Sequence, residues 1–90
     1  MVDLCCGDAY LYRHFLAKKD VSYLGLELNK VFVKWLQQRG VDARQFDVRS
    51  DPIPESDIVL MQASLYQFIP REKEILDAMI HAAKRYVLLV

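Results

Sequence analysis

Five short apolar runs, separated by stretches of helical period, constrain this chain more than any other feature. VDLCC (2–6), VSYLGLEL (21–28), VDARQFDV (41–48), DIVLMQAS (57–64) and YVLLV (86–90) read as strands. Between them, YLYRHFLAKK (10–19) reads as a helix with Leu11, Phe15 and Leu16 facing inward. KVFVKWLQQR (30–39) is a second helix carrying a Phe32, Trp35, Leu36 stripe. Asn29 stands at its N-cap and Gly40 at its C-terminal cap. Pro70 opens a third helix that runs to about Lys84, with Ile75, Leu76, Met79 and Ala83 spaced three to four apart. Strands alternating with helices at this spacing imply βαβ units and a parallel sheet. The fourth strand is apolar almost throughout, which requires burial on both faces.

One connection breaks the pattern. RSDPIPES (49–56) joins the third and fourth strands with prolines and no helix. In a sheet of order 3-2-1-4-5 that loop crosses three strand spacings, roughly 14 Å. Eight extended residues reach roughly 26 Å, so the crossing is feasible. It passes the point where the strand order reverses, beside strand one, where such sheets bind ligands.

Ninety residues allow one small domain, taken as 1–90, with a thin margin of core. Its 53% hydrophobic and 27% charged content is that of a globular chain, not a disordered one. Formal net charge is zero, which argues against a nucleic-acid partner. The basic pairs Lys18-Lys19 and Lys84-Arg85 fall where helices are expected to end, meeting the helix dipole. No signal peptide is visible, and the longest apolar run is far short of a membrane span. Adjacent Cys5 and Cys6 are a poor disulfide framework, so the reading is reduced thiols and a cytoplasmic protein. No third soft ligand lies at zinc spacing, and no metal is expected. His14 and His81 fall within helices, away from any triad pattern.

Asp3, Glu27 and Asp47 each stand at or near the carboxyl end of a successive strand, and so would line one crevice. Three acids repel a pyrophosphate. They suit a ligand rich in donors, with an ammonium, a ribose diol and an adenine amine; S-adenosylmethionine has all three and no phosphate. Gly7 allows the close backbone approach that a Cβ would obstruct.

At these residues the chain resembles the class I S-adenosylmethionine-dependent methyltransferases, across all 90 positions. VDLCCGDA is similar to that family's acid and glycine-rich turn, YLGLELN to its second-strand acid, and RQFDVRSDPIPESDIVLM to its third-strand acid, loop and fourth strand. The resemblance implies a Rossmann-like α/β/α fold with a mostly parallel sheet, here without the family's final strands. It implies that Gly7 and its neighbours, Cys5 among them, cradle the methionine part, with Asp3 bonding in or near that turn, and that Glu27 takes the ribose hydroxyls. Leu28 would pack on adenine, and Asp47 and Val48 would read its edge. Gln62 would touch the methionine end or face the substrate. Tyr66 and Gln67, with Phe68, follow strand four where an acceptor would approach the methyl group. Asp8 suits the first turn of its helix, with cofactor contact as the alternative, and Tyr10 is placed to cover the cofactor. Cys5 and Ala9 stand where the family usually has glycine; Ala9 is expected only to open its helix, and Cys5 to shift the turn.

The expected activity is methyl transfer to an acceptor the sequence does not name, by positioning and exclusion of water. A non-catalytic cofactor-binding or partner subunit is the alternative. A nicotinamide-dependent oxidoreductase is weaker, because G-x-G-x-x-G is absent. The resemblance also implies a longer domain, of which these residues would be a piece. An exposed edge at Val87 to Val90 would then drive self-association.

Overall fold

The computed structural model describes residues 1–62 and 64–90. Ala63, inside the strand expected over 57–64, lies outside the described residues. Among those residues, β1 (Val2–Leu4), β2 (Leu24–Glu27), β3 (Ala43–Gln45), β4 (Ser56–Met61) and β5 (Ala83–Leu89) form one sheet. Its order is β3-β2-β1-β4-β5, and every pairing is parallel. The class is therefore the one the alternation implied, and the strand order is the one the resemblance added. Each strand except β5 is shorter than its apolar run, because ladder pairing stops where the chain bends into a turn. β5 instead starts three residues early, directly from the preceding helix. Lys84 and Arg85 thus lie in a strand and not at a helix end.

Parallel neighbours require crossovers of one hand. β1 to β2 and β2 to β3 step in one direction, and β4 to β5 steps in the other, so their helices cover opposite faces. On one face α1 (Lys30–Gln38) buries Val33 and Leu36 against Ala9, Tyr23, Val41 and Ala43. On the other, α2 (Glu72–Ala82) buries Ile75, Met79 and Ala82 against Val2, Leu4, Leu26, Val59 and Met61. Val59, Leu60 and Met61 are all buried, as a strand covered on both sides must be.

The helix ends follow the local chemistry. The Asn29 side chain accepts the Val31 N–H at 2.9 Å. At the other end Gly40 takes φ +76°, and the N–H groups of Gly40 and Val41 return to the carbonyls of Gln37 and Leu36. That is a Schellman closure.

Three elements differ from expectation. Residues 12–16 form a π-helical turn, with the Ala17 N–H reaching the Tyr12 carbonyl. Bonds from i to i+5 place Leu16 below Leu11, so both are half-buried and Phe15 is turned out to solvent. In α1 the buried stripe is Val33 and Leu36, and Phe32 lies on the exposed side. α2 begins two residues after Pro70, and its buried set uses Ala82 where Ala83 was expected.

The helix-free connection, residues 46–55, does the work of a missing helix. Phe46, Val48 and Ile53 pack against the same core as α2, covering that face. A short 3-10 helix, Leu65–Phe68, follows β4 and was not foreseen.

Candidate active site

The turn after β1 decides the geometry of the site. Cys5, Gly7 and Ala9 all adopt left-handed backbone, with φ of 54°, 53° and 54°. Ala9 therefore does more than open a helix: it sits in a conformation that favours glycine. A Cβ built on Gly7 meets nothing within 4 Å, so its open side faces free space. A left-handed non-glycine residue costs about 1–2 kcal/mol, and glycine's extra unfolded-state freedom returns about 0.5–1 of that. Cys5→Gly also gives up a half-buried side chain packed against the core, worth about 0.8 kcal/mol per buried carbon, and is accordingly expected to be close to neutral. Ala9→Gly also loses a buried methyl worth about 0.8 kcal/mol and should be close to neutral. Urea midpoints of the two variants test both; a destabilised Cys5→Gly would show that the turn is not strained.

Glu27, at the end of β2, joins two turns. Its Oε1 accepts the Gly7 N–H at 2.9 Å and its Oε2 accepts the Asn29 N–H at 2.7 Å. The carboxylate thus ties the β1 turn to the start of α1.

Around it opens a cavity of about 550 Å³. Of the residues singled out from the sequence, Cys5, Gly7, Glu27, Leu28, Asp47, Val48 and Gln67 line it. Phe68, named with Gln67, lines it too, and the structure adds Leu26, Asn29, Phe46, Arg49 and Ser64. Asn29 was legible as a cap and Phe46 and Arg49 as neighbours of Asp47. Ser64, whose hydroxyl donates to the Gln62 carbonyl at 2.9 Å, gave no signal in the sequence.

Three expected site residues stand elsewhere. Gln62 and Tyr66 are exposed outside the lining: β4 ends at Met61, and the 3-10 turn brings the exposed Gln67 and the half-buried Phe68 to the cavity instead. Asp3 is 3% exposed beneath the cavity, and its Oδ2 accepts the Tyr23 hydroxyl at 2.6 Å. Its hydrogen-bond partner is that phenol, not an amide of the turn. Burial pushes the Asp3 carboxyl up to about 6, against the opposing effect of the Tyr23 hydrogen bond. Gly25 makes room for this arrangement: a Cβ there would meet Cys6 Sγ at 2.8 Å and the Tyr23 ring at 3.3 Å.

Asp47 is held by Arg49, whose Nε lies 3.1 Å from Oδ1, and that hydrogen bond keeps its carboxyl below the usual range. Asp8 is paired with Arg13 at 3.1 Å. Both cysteines are free thiols. Burial, with the nearby carboxylates, raises Cys5 to about 11 and Cys6 to about 12. Iodoacetamide at neutral pH should modify either more than about 100-fold slower than an unperturbed thiol. Mass spectrometry of native and urea-unfolded samples checks this, and equal rates would contradict it.

The lining fits a donor-rich, partly apolar ligand. Glu27 offers acceptor oxygens, Gly7 leaves a gap where a side chain would intrude, and Leu28, Phe46 and Val48 supply apolar wall.

Similarity to known proteins agrees with this geometry. The chain superposes on Streptomyces venezuelae DesVI with a TM-score of 0.78 at 18% identity, covering 98% of this chain and 40% of that one. It superposes on the SAM-bound amino pentose methyltransferase CalS10 of Micromonospora echinaspora with a TM-score of 0.76 at 20% identity, covering 91% and 37%. For an S-adenosylmethionine-dependent methyltransferase of Mesorhizobium loti the values are 0.75 and 19%, covering 93% and 40%. The chain spans about two-fifths of the length of these structures, and they establish the fold. Comparison with curated proteins returned no match. The model of the family described as "Methionine biosynthesis protein MetW" matches residues 1–90. Matched along its whole length, on a class I methyltransferase fold, this chain belongs to the MetW family.

Proposed function

We propose that the cavity binds S-adenosylmethionine and that the protein transfers its methyl group to a nucleophilic atom of a small-molecule acceptor. The observation that carries this reading is Glu27: an acceptor carboxylate at the end of β2, bonded to the open glycine turn of β1. Glu27 would hold the ribose hydroxyls, Gly7 and Cys5 would border the methionine part, and Leu28 and Val48 would flank the adenine, with Asp47 at its edge. The bound group supplies an electrophilic methyl on a sulfonium. The chain's own share is to hold that group by Glu27, to keep water from it with Phe46 and Phe68, and to admit an acceptor beside Gln67. The family's name attaches its members to methionine biosynthesis, and the proposed ligand is built on methionine.

The left-handed Cys5 and Ala9 favour a second reading, in which the site binds cofactor without turning it over. Labelled S-adenosylmethionine incubated with a cell extract separates the two. Label appearing in an acceptor supports catalysis; saturable binding with no transfer supports the second reading; no binding removes both. Among the described residues no helix is long and apolar enough to cross a membrane.

The proposal extends to self-association. β5 stands at the sheet edge with Tyr86, Leu88 and Leu89 exposed, as is Val90 after it, whereas Val87, expected to be exposed, is half-buried against the core; an open apolar edge templates pairing with another chain. Sizing chromatography should show dimers or larger species, and Leu88→Lys should shift them toward monomer. A wild-type monomer unfolding cooperatively with more than about 5 kcal/mol of stability would refute this.

A further inference from the structure

The zero net charge conceals a division of the molecule into two signs. The crossovers on one face of the sheet, residues 5–23 and 28–42, contain Arg13, Lys18, Lys19, Lys30, Lys34 and Arg39 against three acids, Asp8, Asp20 and Asp42. The remaining residues hold six cations and nine acids, so they are as negative as this face is positive. Among the described residues, the one ion pair made by these six cations is that between Arg13 and Asp8.

On the same face a groove of about 340 Å³ lies between the first crossover and α1, lined by Asp8, Arg13, Val31, Phe32 and Trp35. Val31 is 75% exposed and Phe32 41%. The Trp35 ring carries the guanidinium of Arg39 at 3.8 Å and that of Arg13 at 4.8 Å, which hold the indole in place. Lys30 and Lys34, one turn apart on α1, border Val31 on the solvent side. Tryptophan and arginine at the centre, an apolar pocket and a charged rim are the composition of a binding hot spot.

We propose that this groove docks an acidic amphipathic segment of a partner protein. One or two apolar side chains enter between Phe32 and Trp35, and flanking carboxylates meet Lys30 and Lys34. A nucleic acid is disfavoured because the cations nearest the aromatic rings, Arg13 and Arg39, are committed to Trp35 and Asp8 and do not form a phosphate track. An anionic lipid surface would read charge without the groove's shape.

Trp35 is the single tryptophan, so its emission reports on the groove directly. The probe is a synthetic helix of about five turns with leucine and phenylalanine at i, i+4, i+7 and glutamate between them. Its controls are a scrambled peptide of equal charge, a short oligouridine and phosphatidylserine vesicles. The amphipathic peptide should shift Trp35 emission saturably and bind at least about tenfold tighter than its scramble, weakening as salt rises. Lys30→Glu with Lys34→Glu should reduce that binding about tenfold or more, and so should Val31→Asp, at an exposed position. Equal binding of the scramble, tighter binding of oligouridine or vesicles, no emission change, or full binding by the variants would each overturn the proposal.

Discussion

Glu27→Ala should bind S-adenosylmethionine about 10- to 150-fold more weakly than the wild type by calorimetry, a loss of about 1.5–3 kcal/mol. The carboxylate is one of two that line the cavity, with Asp47, and a hydroxyl left facing an alanine keeps its desolvation cost with no partner. The same change removes the acceptor of the Gly7 and Asn29 N–H groups. The ligand-free protein should therefore also lose about 1–3 kcal/mol in urea. Glu27→Gln retains one acceptor oxygen and should fall between. Lys84→Ala, exposed in β5, is the neutral control. Unchanged affinity in a folded Glu27→Ala protein would remove the cofactor assignment, whereas lost stability alone would leave Glu27 as a structural tie.

Asp3 should make the protein less stable as pH rises through the mildly acid range. The carboxyl is raised from its ordinary 3.8 to about 6 by burial. Between those values the unfolded chain has released the proton and the folded one has kept it. Stability is then greatest below about pH 4, falls up to about pH 6 and is flat above, losing about 3 kcal/mol from this one group. Asp3→Asn keeps an acceptor for the Tyr23 hydroxyl and has no proton to release. The stability of the variant minus that of the wild type should rise by about 2.5 kcal/mol from pH 4 to pH 7, measured by urea unfolding. Subtraction cancels the exposed carboxylates, including Asp47, whose lowered range works in the opposite direction. A flat difference would mean that Asp3 is ionised at no cost, with solvent reaching it.

What the sequence determined by itself is local or periodic. The alternation of apolar runs with helical stretches implied a parallel sheet and, with the resemblance, its order. Asn29 and Gly40 announced the ends of α1, because a cap needs a partner only two to four residues away. Glu27 and Gly7 were marked by residue type at strand ends. The tertiary structure decided what depends on residues distant in the chain. That the partner of Asp3 is Tyr23, and that Glu27 rather than Asp3 bonds the turn, are contacts across 20 residues set by the parallel register of β1 and β2. Phe15 and Phe32 turned outward because a π turn and the docking angle of α1 rotated their faces, which a 3.6-residue period cannot report. A net charge of zero carried no sign of the basic face, since composition sums over the molecule and only folding sorts charges in space.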